Sequence, residues 1–287
     1  MDDTARRDLV EGLLPLVRTA GAAVLRSRNA GLATHLKHDK SPVTSADIGS
    51  EAVIRRGCSL LFPAIPMISE ERAPALESSF EIPPLCFLVD PLDGTKEFIA
   101  GRSEFTVNIA LVENGVATAG VIFAPALDRL YVAAGPRMAF MIDENGRRIR
   151  LDGMPHDHSH PIVLASRSHL DEQTAALVAQ WQPCIIKQLG SSLKFALIAA
   201  GEADVYPRLS PTMIWDSAAG QALIEATGGV VLRPNGSPLV YCGSLINRGF
   251  VAARTRSLAA KALASIDSER QARLPVSNPL TEESSRR

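Results

Sequence analysis

Leu85-Cys86-Phe87-Leu88-Val89-Asp90-Pro91-Leu92-Asp93-Gly94-Thr95-Lys96-Glu97-Phe98 is the stretch on which the reading of this chain turns. Its first five residues carry no charged or hydroxyl group, so they predict a strand buried on both faces and ending at Asp90. Open sheets bind ligands at such ends. Two carboxylates three positions apart there repel each other unless a cation lies between them. Hard oxygen ligands select Mg²⁺, Mn²⁺ or Ca²⁺ over zinc. Gly94 lets the backbone approach an anion closely, and if Thr95 opens a helical turn its N–H groups are aimed where a phosphate would lie. An Asp-rich turn between strand and helix fits the same letters, and the rest of the chain has to separate the two.

Upstream, Leu9, Leu13, Leu16, Val17, Ala20 and Val24 recur at spacings of three and four and predict an amphipathic helix over residues 5–28. Pro15 inside it predicts a kink or a later start. Thr44-Ser45-Ala46-Asp47 has the form of a capping box and opens a second helix to about Leu61, ended by Pro63 and Pro66. Ala64 to Ser69 is then a short strand that delivers Glu70-Glu71. Downstream, Phe105–Val112 and Val116–Phe123 flank Asn114-Gly115, a hairpin signal because both residues tolerate positive φ. Arg129–Ala133 and a second hairpin around Asn145-Gly146 follow, so the first half is expected as two helices on an antiparallel sheet.

Residues 152–161 are polar and turn-forming, and a domain boundary is expected there. Past it strands and helices alternate: strands at Ile162–Ala165, Cys184–Leu189, Asp204–Tyr206 and Val230–Arg233, helices at Asp171–Gln180, Ser191–Ala200 and about Trp215–Thr227. Phe250–Ala253 is expected as an edge strand and Leu258–Ile266 as a last helix. The division is thus an N-terminal α+β domain over 1–155 carrying most of the site, a C-terminal α/β domain over 156–267, and a disordered tail over 268–287.

The chain has 287 residues, 46% hydrophobic and 21% charged, which describes a globular protein with ample core. A net charge of −1 without a basic block argues against nucleic acid as a partner but leaves a single charged nucleotide. The acidic start Met1-Asp2-Asp3 is no secretory n-region, and no apolar run approaches the roughly 18 residues of a membrane span. A cytoplasmic location is expected. Cys58, Cys86, Cys184 and Cys242 form no CxxC pair and are expected as small core residues.

Two carboxylates alone do not hold a divalent ion. Glu70-Glu71 at a strand end and Asp216 at a helix start are the candidates for completing the set. Each has a plainer reading, as a solvated charge or a helix cap. His156, His158 and His160, which alternate in the linker without a partner cysteine or glutamate, are assigned no role. Trp215 is expected to pack in the core.

Ser-Glu-Glu at 69–71, Asp-Pro-Leu-Asp-Gly-Thr at 90–95 and Trp-Asp at 215–216, in that order, resemble the metal-dependent, lithium-sensitive phosphomonoesterases of the inositol monophosphatase superfamily. Lys96-Glu97-Phe98, Ser166-Arg167-Ser168-His169, Gly190-Ser191-Ser192-Leu193-Lys194-Phe195 and Tyr206-Pro207-Arg208 are similar to its 3′(2′),5′-bisphosphate nucleotidase branch, in particular the bacterial CysQ type. The resemblance implies a layered αβαβα sandwich and Mg²⁺-dependent hydrolysis of adenosine 3′,5′-bisphosphate to AMP and phosphate. It also implies 3′-phosphoadenylyl sulfate as a second substrate, a link to sulfate assimilation, and inhibition by lithium. Inositol monophosphatase or sugar-bisphosphate phosphatase activity is the near alternative, and a non-catalytic nucleotide sensor the distant one.

Residue by residue, the resemblance implies that Glu70, Asp90 and the Leu92 carbonyl hold one Mg²⁺ and that Asp90, Asp93 and Asp216 hold another, with Mn²⁺ an alternative ion. Asp47 and Thr95 would position the attacking water, while Gly94 and Thr95 grip the phosphoryl group. His169, Ser191, Lys194, Arg208 and Asp216 fall on substrate-contacting positions. Charge supports this, since a second phosphate needs cations and N–H donors such as Lys194, Arg208 and a helix opened by Ser191 can provide. Asp47 at a helix N-terminus is expected to keep a low pKa. Glu71 is left out of the ligands. Monomer and homodimer both remain open, as does peripheral attachment at the inner membrane.

Overall fold

The computed structural model describes residues 1–30, 34–36, 42–73, 81–154 and 160–272. The first half contains α1 (Asp3–Ala30), an antiparallel pair β1 (Thr34–Leu36) and β2 (Pro42–Thr44), and α2 (Ser45–Leu61). The strands β3 (Met67–Ser69), β4 (Leu85–Asp93) and, after the short helix α3 (Thr95–Ile99), β5 (Thr106–Glu113), β6 (Val116–Ala124), β7 (Arg129–Ala133), β8 (Ala139–Ile142) and β9 (Arg148–Arg150) form one sheet in chain order. The second half contains β10 (Ile162–Ser166), α4 (Glu172–Ala179), β11 (Ile185–Leu189), α5 (Leu193–Ala199), β12 (Val205–Arg208), β13 (Thr212–Met213), α6 (Trp215–Ala226), β14 (Val230–Leu232), β15 (Ile246–Asn247), β16 (Phe250–Ala253) and α7 (Arg256–Ala272).

Alternation along the strands sorts these elements into five layers. In β4, Phe87 and Val89 face a cluster with Leu9, Leu13, Val17, Ile54 and Cys58 of α1 and α2. Cys86 and Leu88, one residue out of phase, face a second cluster with Phe195 of α5 and Trp215, Ala218, Ala219 and Leu223 of α6. That cluster continues into Ile162 and Leu164 of β10 and Ala252 of β16. Val163, Val205, Val251 and Ala253 point the other way, against Leu177 of α4 and Ala259 and Ala262 of α7. The order is helices, sheet, helices, sheet, helices, the αβαβα sandwich. Gly120 of β6 marks how closely the middle layer approaches, because a Cβ there would lie 2.8 Å from the Ala219 carbonyl oxygen of α6.

Several expectations change. The apolar strand does not end at Asp90; β4 runs on to Asp93, with an irregularity between Asp90 and Asp93 in its pairing with β5. The bulged geometry accommodates Pro91, which has no N–H for the ladder. The first sheet is not wholly antiparallel, since β3 pairs parallel with β4. Phe250–Ala253 is an interior strand, antiparallel to β12 on one side and β14 on the other. It is buried throughout, which a solvent-facing edge would not require. α1 starts at Asp3 and runs through Pro15, so no later start is found. α7 continues to Ala272, past Ile266, while residues 273–287 of the expected tail lie outside the described residues. His156 and His158 lie outside them as well, and Cys58 and Cys86 are core residues whereas Cys184 is half-buried and Cys242 exposed. No helix among the described residues is long and apolar enough to cross a membrane.

Candidate active site

Helix α2 lays three polar side chains along one face, Asp47, Ser50 and Glu51, at the i, i+3 and i+4 spacing. The capping box is formed: Asp47 Oδ2 accepts from the Thr44 N–H at 2.7 Å and from the Thr44 hydroxyl at 2.6 Å, and Thr44 Oγ1 accepts from the Ala46 N–H. Asp47 Oδ1 is thereby left to accept from the Thr95 hydroxyl at 3.2 Å. Each Asp47 oxygen thus has its own partner segment, Thr44 for Oδ2 and Thr95 for Oδ1. The Ser50 hydroxyl donates to the Pro91 carbonyl at 2.7 Å, inside the bulge. Glu51 accepts from Ser69 Oγ at 3.0 Å and pairs with Arg72 at 3.2 Å, which brackets Glu70 and Glu71 in a single 3₁₀ turn.

One cavity of about 320 Å³ gathers the carboxylates. Glu70, Asp90, Asp93 and Asp216 all line it, together with Leu92, Gly94 and Thr95. Asp90 is 1% exposed, with Oδ1 accepting from the Leu92 N–H at 3.0 Å. Asp93 Oδ2 accepts from the N–H and hydroxyl of Ser192 and from Asn108 Nδ2 at 3.2 Å. Asp216 Oδ2 accepts from the Thr212 hydroxyl and from the Met213 N–H at 3.1 Å. Ser192 Oγ also lies 2.8 Å from the Asp216 carbonyl, so it ties the two aspartate segments together. Each aspartate is held through one oxygen, and among the described residues no donor is directed at the other.

Burial, reinforced by the charges of Glu70, Asp93 and Asp216, pushes the Asp90 carboxyl well above the usual carboxylate range. Burial and the neighbouring Asp93 and Glu70 push Asp216 the same way. Like charges are collected here against their mutual repulsion, and a bound cation removes that cost. Among the described residues no group of three or more acidic, histidine or cysteine side chains is placed to hold a metal ion by itself. The carboxylates line an open cavity, which leaves room for water and substrate oxygens in an ion's coordination shell. An all-oxygen donor set of this kind suits a hard divalent ion with retained waters, as Mg²⁺ requires.

Asp47 departs from expectation, because its pKa is raised. Burial opposes the charged form more strongly than the Thr44 and Thr95 hydrogen bonds favour it. Gly94 has φ +89°, and a Cβ there would stand 3.0 Å from the Glu104 carbonyl, so the turn into α3 needs glycine. With only five residues, α3 offers local N–H groups at its start and little dipole. The Thr95 hydroxyl lies 3.1 Å from the Leu92 carbonyl and 3.2 Å from Asp47, and its one proton can serve only one acceptor at a time.

The same cavity is lined by Lys96, His169, Ser191, Lys194 and Arg208. Lys194 Nζ donates to the carbonyls of Ser191 at 2.6 Å and Leu189 at 3.2 Å and sits 4.9 Å from the Tyr206 ring centre. Burial lowers its pKa to about 8. Arg208 donates to the Pro211 carbonyl, while its buried Nε has no partner among the described residues. The Lys96 ammonium donates to His169 Nε2 at 3.0 Å. His169 keeps an exposed edge, yet partial burial and the charges of Lys96 and Arg208 lower its pKa to about 4, so it is a neutral acceptor. Ser191 does not open a helix as expected: it has φ +51°, and α5 begins at Leu193. Ser192 makes the contact to Asp93 in its place.

The sequence model of the inositol monophosphatase family matches residues 6–271. The chain belongs to that family. It is 40% identical over 258 residues to the 3′(2′),5′-bisphosphate nucleotidase CysQ of Buchnera aphidicola, covering 86% of this chain and 94% of the relative. To the protein of the same name from Escherichia coli K12 it is 40% identical over 246 residues, covering 84% and 98%. Among solved structures it is similar to CysQ from Bacteroides thetaiotaomicron, with a TM-score of 0.73 at 32% identity over 86% of this chain and 97% of that one.

Sequence reasoning brought Asp47, Glu70, Asp90, Leu92, Asp93, Gly94, Thr95, His169, Ser191, Lys194, Arg208 and Asp216 into the argument, and all but Asp47 line the one cavity. Asp47 reaches it through Thr95. Ser50, Glu51, Asn108, Ser192 and Thr212 went unnoticed as the residues that fix the carboxylates and their loops. Only the serine following Ser191 carried any signal, within the Gly-Ser-Ser run.

Proposed function

We infer that the chain is a divalent-metal-dependent 3′(2′),5′-bisphosphate nucleotidase that hydrolyses the 3′-phosphate of adenosine 3′,5′-bisphosphate to AMP and phosphate. The observation that carries the reading is one cavity lined both by Glu70, Asp90, Asp93 and Asp216 and by Lys96, Lys194 and Arg208. A monophosphate needs only the metal side. Cations beyond it suit a substrate with a second phosphate, and relatives at 40% identity bear the nucleotidase name.

Glu70, Asp90 and the Leu92 carbonyl would hold one Mg²⁺, and Asp90, Asp93 and Asp216 a second. A magnesium ion held by these residues would supply acidification of the attacking water and neutralisation of charge at the leaving ribose oxygen. The chain's own groups do the rest. With its proton directed to Asp47, Thr95 Oγ1 presents a lone pair to the cavity and orients the water's hydrogen. The N–H groups of Gly94 and Thr95 hold the phosphoryl oxygens, fixed in place by the αL turn at Gly94. Lys194 and Arg208 engage the second phosphate, with Lys194 charged at neutral pH.

Turnover with Mg²⁺ on adenosine 3′,5′-bisphosphate compared with inositol 1-phosphate tests the assignment. A preference for the bisphosphate of at least about a hundredfold is expected, as several desolvated charge contacts are lost with inositol. Preference for inositol 1-phosphate would overturn it, and tight nucleotide binding without phosphate release would point to a sensor.

A further inference from the structure

Three consecutive residues of the second half, Arg167, Ser168 and His169, are each held by a side chain from residues 96–104 of the first. The Arg167 guanidinium pairs with Glu104, donating from Nη2 at 2.9 Å. The Ser168 hydroxyl donates to Glu97 Oε1 at 2.6 Å. His169 Nε2 accepts from Lys96 at 3.0 Å. Glu97 is the buried member, only 3% exposed, and it sits against Gly190, where a Cβ would lie 2.5 Å from its Cγ. Glycine at 190 therefore makes room for this carboxylate at the foot of the loop that carries Ser191 and leads to Lys194.

A buried carboxylate is retained at a cost unless it is paired or hydrogen-bonded. The Glu97 carboxylate lines the same cavity, but its side-chain hydrogen bond is to Ser168 and not to Glu70, Asp90, Asp93, Asp216, Gly94 or Thr95. It accepts from Ser168 and packs against Gly190, one on each of the two segments that frame the cationic side of the cavity, and its charge acts on Arg167, His169 and Lys194 there. Resting on the nucleotidase reading above, we propose that Glu97 is a specificity-positioning residue. By anchoring Ser168 and packing on Gly190 it sets the separation of the His169 loop and the Gly190–Ser192 turn that leads into Lys194 of α5, and so selects a substrate bearing a second phosphate. Chemistry at the first phosphate does not depend on it.

The test compares kcat/KM for adenosine 3′,5′-bisphosphate and for 3′-AMP, which presents the same leaving oxygen without the second phosphate. The variants are Glu97→Ala, Glu97→Gln and Ser168→Ala in the full chain with Mg²⁺. Glu97→Ala and Ser168→Ala are expected to lower the bisphosphate value about tenfold through KM, the size of one hydrogen bond to a charged acceptor, and to change 3′-AMP less than about twofold. Glu97→Gln keeps an acceptor for Ser168 and a side chain of the same volume, and should restore most of the discrimination. A parallel fall on both substrates, or no fall in either variant, overturns the proposal. Ser168→Ala removes one half-buried hydroxyl and keeps the test valid if Glu97→Ala does not fold. Wild-type enzyme without preference for the bisphosphate over 3′-AMP would instead sink the nucleotidase reading.

Discussion

The Asp47 carboxylate joins two pieces of chain that are far apart in sequence: Oδ2 caps its own helix at Thr44, and Oδ1 lies 3.2 Å from the Thr95 hydroxyl at the start of α3. No ion is needed to hold this link, and Asp47 is not among the residues lining the cavity. Asp47→Asn is therefore expected to lower kcat by about 10² to 10⁴-fold, the range of a lost water-orienting group, while the Mg²⁺ concentration for half-maximal rate changes little. A Mg²⁺ titration of the variant checks this, and a large rise in metal requirement would move Asp47 into the ligand set.

Thr212 acts in the opposite sense. Its hydroxyl and the Met213 N–H orient Asp216 Oδ2, so Thr212→Val leaves the carboxylate in place but poorly aimed. Outer contacts of this kind typically contribute 10- to 100-fold in metal affinity. The half-saturating Mg²⁺ concentration should rise by that factor, with kcat at saturating metal largely kept; unchanged metal dependence would refute the role.

Magnesium should stabilise the fold as well as activate it. Asp90 and Asp216 are buried beside Asp93 and Glu70, and a ligand that binds only the native state adds about 2.7 kcal/mol at a hundred times its dissociation constant. Thermal unfolding with and without Mg²⁺ measures this. Asp90→Asn, which removes the carboxylate assigned to both metal positions, should shrink the increment from Mg²⁺. Equal increments in both proteins would count against the four carboxylates as the binding site.

Glu113 links acid stability to the outer layer. Burial alone would raise its pKa, but hydrogen bonds from Arg6, the amino terminus and Thr118 lower it from 4.5 to about 2. Between those values the unfolded chain binds more protons than the native one, so stability rises with pH there. The contribution is present above about pH 4.5 and is lost as pH falls towards 2. Glu113→Gln should lower the melting temperature at pH 7 and flatten its decline between pH 4.5 and 2. A decline as steep as that of the wild type would remove Glu113 from the account.

Arg208 and Lys194 differ in what they can lose. Arg208→Ala removes a guanidinium whose Nε is buried without a partner among the described residues, and KM for adenosine 3′,5′-bisphosphate should rise about tenfold or more. Lys194→Met also releases the carbonyls of Leu189 and Ser191, so it should cost stability in addition to KM. Thermal unfolding of the two variants distinguishes them, and a loss of stability confined to Arg208→Ala would reverse the assignment.

What the sequence legibly carried is local or periodic. The apolar run before Asp90 fixed a doubly covered strand, the Thr44 to Asp47 spacing fixed a capping box, and Asn114-Gly115 fixed a hairpin, because each depends on residues within one turn or one pleat. Phe250–Ala253 was misplaced at an edge because strand order is set by which sheet position long-range packing leaves open, and four apolar letters do not record their neighbours. The pKa of Asp47 was misjudged for a similar reason: a helix N-terminus is visible in sequence, and the burial that outweighs it is not.

By itself, the sequence determined the carboxylates at 70, 90, 93 and 216, the hydroxyl at Thr95, the glycine at 94 and the basic residues at 194 and 208. Residue type and short spacing suffice to specify donors and acceptors. Tertiary structure decided what holds them. Ser192 bridges Asp93 and the Asp216 carbonyl, Thr212 orients Asp216, Glu51 brackets Glu70 and Glu71, and Glu97 anchors Ser168. The Ser192, Glu51 and Glu97 contacts join segments distant in the chain, and even the short-range one from Thr212 depends on the strand turn that brings β13 against the start of α6. Their geometry exists only once the two sheets and the α5–α6 layer between them have packed.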